Sequence, residues 1–191
     1  LNMIVDTIFV GQWIGIMAIA AITVVLPIAF FISSIGMGIG IGGGSIISRA
    51  LGSKNFEKAY KTFGNQITLT FGSSLIFVLL GTYFCFPILQ LFGANGDIVA
   101  PATEYFHIII YGVPFFAFAM MGNPIIRAVG QPKFAMYTMI IPAIANILFD
   151  ILFIKVFDWG MYGAGFATTI SYATSGLFVL GFFLSSKSSL N

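Results

Sequence analysis

Residues 63 to 91 carry no charged side chain, and neither do residues 160 to 186. Each run exceeds the roughly 20 apolar helical residues that cross the hydrocarbon core of a bilayer. A water-soluble fold of 191 residues must clothe its surface in polar groups, yet this chain is 7% charged and 59% hydrophobic, with a mean hydropathy of +1.03. That balance lies well outside the usual composition of a soluble domain. The runs do not alternate apolar and polar residues over about ten positions, as the strands of a membrane barrel do. The expected fold class is therefore an all-α membrane protein.

Polar and charged punctuation divides the chain into six segments, 1–10, 17–47, 63–91, 103–126, 134–157 and 162–184, which read as a six-helix transmembrane bundle. The first is too short to span a bilayer, so the chain is expected to begin part-way through a helix. Arg49, Lys54, Lys58 and Lys61 fall between the second and third segments, Arg127 and Lys133 between the fourth and fifth, and Lys187 after the sixth. Lys155 alone falls on the opposite side. The positive-inside rule then places loops 48–62 and 127–133 in the cytoplasm of a multi-pass protein of the cytoplasmic (inner) cell membrane. A miscounted helix would have scattered these charges over both faces.

Several function classes are poor fits. The formal net charge is only +2, with no basic stripe interleaved with aromatics, so no nucleic-acid partner is expected. One histidine and one cysteine support no metal site, and no nucleophile with a base partner is recognisable, so neither a resident cofactor nor an enzyme is expected. Cys85 lies within an apolar run and reads as a small helix- or lipid-facing residue. The stretch GMGIGIGGG, residues 36 to 44, contains a G-x-G-x-x-G match at Gly38, Gly40 and Gly43. It lacks the strand and soluble crossover helix of a dinucleotide site. Missing side chains there point instead to the close approach of a second helix, with a flexible gating segment as the alternative.

Four of the six acidic residues, Glu57, Asp97, Glu104 and Asp158, fall in loops or near an interface. Asp6 and Asp150 are embedded in apolar helix, where an ionised carboxylate costs about 2.5 to 3.5 kcal/mol on insertion scales. Asp6 precedes Gly11 by five residues and Asp150 precedes Asp158 by eight. At the helical rise both sit very roughly 10 Å inside the outer boundary. Thr168, eight residues after Gly160, reaches a comparable depth. Asn146 precedes Asp150 by four and shares its helix face. Pro142, four residues earlier again, is expected to kink the helix and free the Thr138 carbonyl. Two carboxylates, an amide and a hydroxyl suit a proton or a hard monovalent cation. The competing expectation is an interhelical clamp, but such bonds average about 0.6 kcal/mol, and an amide or hydroxyl would make one more cheaply than an acid. His107, three residues after Glu104, either joins a relay or is simply hydrogen-bonded at the interface.

VDTIFVG at 5–11, GMGIGIGGGSIISRALGSKNFEKA at 36–59, RAVGQPKFAM at 127–136, NILFDILFI at 146–154 and GMYGAGFATTIS at 160–171 resemble the successive hallmarks of the multidrug and toxic compound extrusion (MATE) transporters, in their DinF-like branch. The resemblance implies the N-terminal six-helix lobe of a twelve-helix transporter whose partners are the lipid bilayer, a C-terminal lobe and small substrates. It further implies a secondary active multidrug efflux antiporter exporting cationic or amphiphilic compounds in exchange for H⁺ or Na⁺. Carried over by motif, Asp6, Asn146, Asp150 and Thr168 are the coupling residues and would hold Na⁺ only transiently. Asn123 matches a cavity position, or else serves as an N-terminal partner for the break at Pro124. Asn2, a second cavity candidate, stands where relatives often have tyrosine. Two alternatives remain. A lipid-linked oligosaccharide flippase of the same superfamily would line its cavity with cations, whereas every Arg and Lys here lies in a loop or at a helix end. A non-transporting membrane receptor or scaffold would not need the acids.

Overall fold

The computed structural model describes residues 2–185, with side chains from Thr7 onward. These residues form seven α-helices: α1 (Asn2–Trp13), α2 (Ile16–Gly52), α3 (Phe56–Tyr83), α4 (Cys85–Leu91), α5 (Val99–Ala128), α6 (Pro132–Asp150) and α7 (Gly160–Leu184). A 3₁₀ turn, Gly96–Ile98, leads into α5, and a π-helical turn, Ile151–Val156, continues α6. No strand occurs among the described residues, so the all-helical expectation holds. Five helical stretches, Ile16–Gly52, Phe56–Tyr83, Gly96–Ala128, Pro132–Val156 and Gly160–Leu184, are long and apolar enough to cross a membrane. Leu69, Leu75, Ile76, Leu148 and Leu177 are exposed on the outside of the bundle.

α5 runs through the middle of the bundle between α2 and α7. α3 packs on α2 and α5, α6 on α7, and α1 bridges α2 and α6. Two separate hydrophobic clusters fill the interior. One gathers Val25, Ile28, Leu89, Phe106, Ile109 and Val113, and the other, towards the basic loops, gathers Ile47, Ala59, Met121, Ile125, Ala135 and Phe182. Between them α2 and α5 cross backbone to backbone. A Cβ added at Gly36 would collide with the Ala117 carbonyl, and one at Gly40 with the Met121 carbonyl. Association in lipid relies on such close packing, because hydrocarbon tails compete equally for apolar side chains. The glycine run thus divides by face: Gly36 and Gly40 meet α5, Gly43 meets Gln66 of α3, and Gly38 and Gly42 meet nothing within 4 Å.

The helix limits depart from the apolar runs where a local signal overrides hydropathy. α3 starts at Phe56 rather than at residue 63, because the Asn55 side chain caps it by accepting from the Lys58 N–H at 3.1 Å. The segment 63–91 is not one helix; it breaks at Phe84. Pro87 explains the break, since its ring clashes with the carbonyl four residues back, that of Tyr83, the last residue of α3. Cys85 is buried at the start of the short helix that follows. The first segment also outruns its expected end, continuing through Gly11 to Trp13. The chain then reverses at Gly15, whose φ of 127° and ψ of 176° only glycine adopts readily.

Candidate functional site

Pro142 has no N–H and so leaves the Thr138 carbonyl without its helical donor. α7 supplies the replacement. Ser175 Oγ donates to the Thr138 carbonyl at 3.2 Å, and Ser171 Oγ, one turn away, donates to the Pro142 carbonyl at 2.8 Å. These two bonds fasten α7 to α6 around Pro142. Beyond the proline Asn146 and Asp150 follow at four-residue intervals, each 1% exposed. Asn146 Nδ2 donates to Asp150 Oδ2 at 3.4 Å, the long end of the range for such a bond.

Asp150 is the last α-helical residue before the π turn. In that turn the Phe157 N–H donates to the Leu152 carbonyl five residues back, and π turns of this kind recur at functional positions in helices. Lys155 Nζ, within the turn, sits 5.5 Å from the ring centroid of Trp13. That cation–π contact ties the end of α1 to the helix that carries Asp150.

Thr168 Oγ1 donates to the Ala164 carbonyl at 3.0 Å and lies 3.3 Å from the Tyr105 hydroxyl. Either hydroxyl can donate across this contact. This places α5 and α7 in register at the depth of Asn146.

A cavity of about 290 Å³ opens between α1, α2, α5, α6 and α7. Thr7, Tyr105, Thr138, Asn146, Thr168, Ser171 and Ser175 supply its polar groups; Leu26, Phe30, Met120, Met139 and the parallel-stacked pair Phe116 and Tyr172 supply apolar wall. None of the described lining residues is charged. Asp150 is absent from the described lining, and it connects to the cavity through the hydrogen bond from Asn146, which does line it.

The structure thus brings Asn146 and Thr168 to one cavity with Pro142, and Asp150 to Asn146, while α6 runs as one helix through Pro142. Asp6 and Asn2 lie on α1, but their side chains fall outside the described residues; their neighbour Thr7 lines the cavity. Asn123 does not face the cavity. Its Nδ2 donates to the Ala135 carbonyl at 2.8 Å and to Thr138 Oγ1 at 2.9 Å, pinning α5 to the start of α6. α5 runs as one helix through Pro124, so the expected break that Asn123 would cap does not occur. His107 is exposed on α5, away from the cavity. Tyr105, Ser171 and Ser175 are additional polar members of the site. The spacing 168, 171, 175 puts a polar stripe on one face of an apolar helix, and that is the signal by which the two serines can be found; Tyr105 carries no comparable signal.

Such an arrangement, five apolar membrane-length helices around a partly aromatic cavity with a buried carboxylate close by, defines a multi-pass helical membrane protein with an internal cavity. The MatE family model matches residues 1–152, and the chain belongs to that family. It is 32% identical over 166 residues to the probable multidrug resistance protein YoeA of Bacillus subtilis (strain 168), covering 85% of this chain and 36% of that protein. It is 29% identical over 181 residues to the multidrug export protein MepA of Staphylococcus aureus (strain MRSA252), covering 95% of this chain and 40% of that protein. The solved structure of the MATE multidrug transporter DinF-BH superimposes with a TM-score of 0.91 at 42% identity, over 99% of this chain and 42% of that one. The chain therefore spans about two fifths of the length of these relatives and corresponds to one lobe of the MATE architecture.

Proposed function

We propose that this lobe forms the N-terminal half of a secondary active efflux antiporter, in the cell membrane, that exports cationic or amphiphilic compounds in exchange for H⁺ or Na⁺. The observation that carries this reading is Asp150: a carboxylate 1% exposed in a membrane-spanning stretch, bonded to Asn146 at the wall of a substrate-sized cavity. The names of the curated relatives, which refer to multidrug resistance and export, support it. The coupling set is Asp6, Asn146, Asp150 and Thr168, with Tyr105 and the serine contacts to α6 around Pro142 as its supports. The basic segments 48–62 and 127–133, which the structure resolves into helix ends joined by the short turns 53–55 and 129–131, face the cytoplasm, and a second lobe completes the cavity.

Coupling requires that the ion bind the two conformations unequally. A proton or sodium ion offsets the cost of a carboxylate in a dry interior, so the loaded site tolerates a closed cavity. An unloaded carboxylate favours a hydrated cavity and attracts a cationic substrate. Substrate and ion then compete for one lobe. The absence of Arg and Lys from the described lining speaks against an anionic lipid-linked cargo. The test uses the full-length transporter in vesicles with an imposed pH or sodium gradient and a fluorescent cationic dye. Asp150→Asn and Asp6→Asn are each expected to abolish gradient-driven export; wild-type rates in both would overturn the reading, and exchanging one gradient for the other identifies the ion.

A further inference from the structure

α3 contributes nothing to the cavity lining, yet its buried face is polar. Gln66, Thr70 and Ser74, spaced by four along one face, are 4%, 0% and 1% exposed. Gln66 reaches across to α2, where its Nε2 donates to the Ile39 carbonyl at 2.6 Å. Its amide lies against Gly43, and a Cβ at that glycine would land on the amide atoms. This contact fixes the orientation of the amide, because turning it over would oppose two acceptors, Oε1 and the Ile39 oxygen. Gln66 Oε1 therefore points away from that carbonyl, and it has no hydrogen-bond partner among the described residues.

Thr70 Oγ1, one turn further along, also has none. The other threonines of the same helix behave differently: the hydroxyls of Thr62, Thr68 and Thr82 donate to the carbonyl four residues back at 2.7, 3.0 and 2.8 Å. Thr70 forgoes that local bond although its burial is complete. Two buried polar atoms on side chains one helical turn apart, without a partner among the described residues, call for an outside donor, and hydrocarbon offers none.

We propose that Gln66 Oε1 and Thr70 Oγ1 are the two ends of a built binding site for a single water molecule in the α2–α3 seam. The water donates one proton to the amide oxygen, which can only accept, and shares the other bond with the threonine hydroxyl, which can do either. A neutral occupant suits the pair, since no carboxylate lies among these ligands to balance a cation. Gly43 makes the room by letting the amide lie flat on α2. The site is separate from the Asp150 cavity, so it stands or falls independently of the transport reading.

A double-mutant cycle on the full-length transporter in detergent tests this, with Thr70→Val, Gln66→Met and the double variant followed by thermal unfolding. Thr70→Val keeps shape and deletes the hydroxyl. With a bridging water it lowers Tm by about 2–4 °C, the loss shrinks in the Gln66→Met background, and Thr70→Ser restores the wild-type Tm. An unchanged or raised Tm in Thr70→Val overturns the proposal, because removing an unpartnered hydroxyl should then be neutral or favourable. An equal loss in both backgrounds overturns it too. Should Gln66→Met not fold, a wild-type structure showing waters decides directly: an ordered water about 2.7–3.2 Å from both oxygens is expected, and its absence, or a cation in its place, refutes the site.

Discussion

Ser175 Oγ donates to the carbonyl of Thr138, the one group in α6 that Pro142 deprives of its helical N–H. A hydroxyl on one helix therefore supplies the donor that a proline removes from another. Such repair by a neighbouring side chain is how membrane helices tolerate proline.

Ser175→Ala should destabilise the full-length protein by about 0.6–1.5 kcal/mol, because the Thr138 carbonyl loses its donor. In a Pro142→Ala background the residue at 142 again carries an N–H, and the same serine change should cost clearly less. Thermal unfolding of the four variants measures the coupling. Equal costs in both backgrounds would show that the serine merely packs.

The glycine run should respond by face. Gly40→Ala drives a methyl into the Met121 backbone, an overpacking that costs about 1–3 kcal/mol. Gly38→Ala meets nothing within 4 Å and should stay within about 0.5 kcal/mol of wild type. Monodispersity and Tm in detergent separate the two.

Asn123 and Tyr105 should part company in function. Asn123→Ala removes a clamp outside the cavity, while the Ala135 carbonyl still accepts from Thr138 Oγ1 at 2.7 Å. A stability loss of about 0.6–1.5 kcal/mol is expected, with dye affinity and ion dependence unchanged. Tyr105→Phe removes the hydroxyl that reaches Thr168. Its Tm should change little, whereas the ion concentration for half-maximal export should move by about fivefold or more, the lower range of measured couplings. Dye-export titrations against pH and sodium distinguish these outcomes.

The sequence carries the helix content and the Asn146–Asp150 pair, because hydropathy and a four-residue spacing are local quantities. The Thr138 carbonyl freed by Pro142 is equally legible, since a proline's missing N–H points to one residue. The identity of its donor is not. Whether Ser175 reaches that carbonyl depends on how α7 is rotated against α6, a long-range property with no sequence period of its own. Asn123 shows the same limit from the other side: an amide beside a proline looks like a cap or a cavity residue until the neighbouring helix claims it. The break at Phe84 was available in Pro87, but the apolar run masks it. The π turn after Asp150 has no signature in the residues that form it.

That π turn, Ile151–Val156, widens the helix and so delays its rotation relative to an α-helical continuation. It acts as a phase offset between two segments that otherwise share one axis. Shortening it by one residue would leave Asp150 and everything before it in place, yet swing the Lys155 end by about 100°, off the face of Trp13. The outer end of this helix is therefore indexed separately from its buried half, and insertions or deletions between residues 151 and 156 should read as changes in α1 docking rather than as damage to the carboxylate.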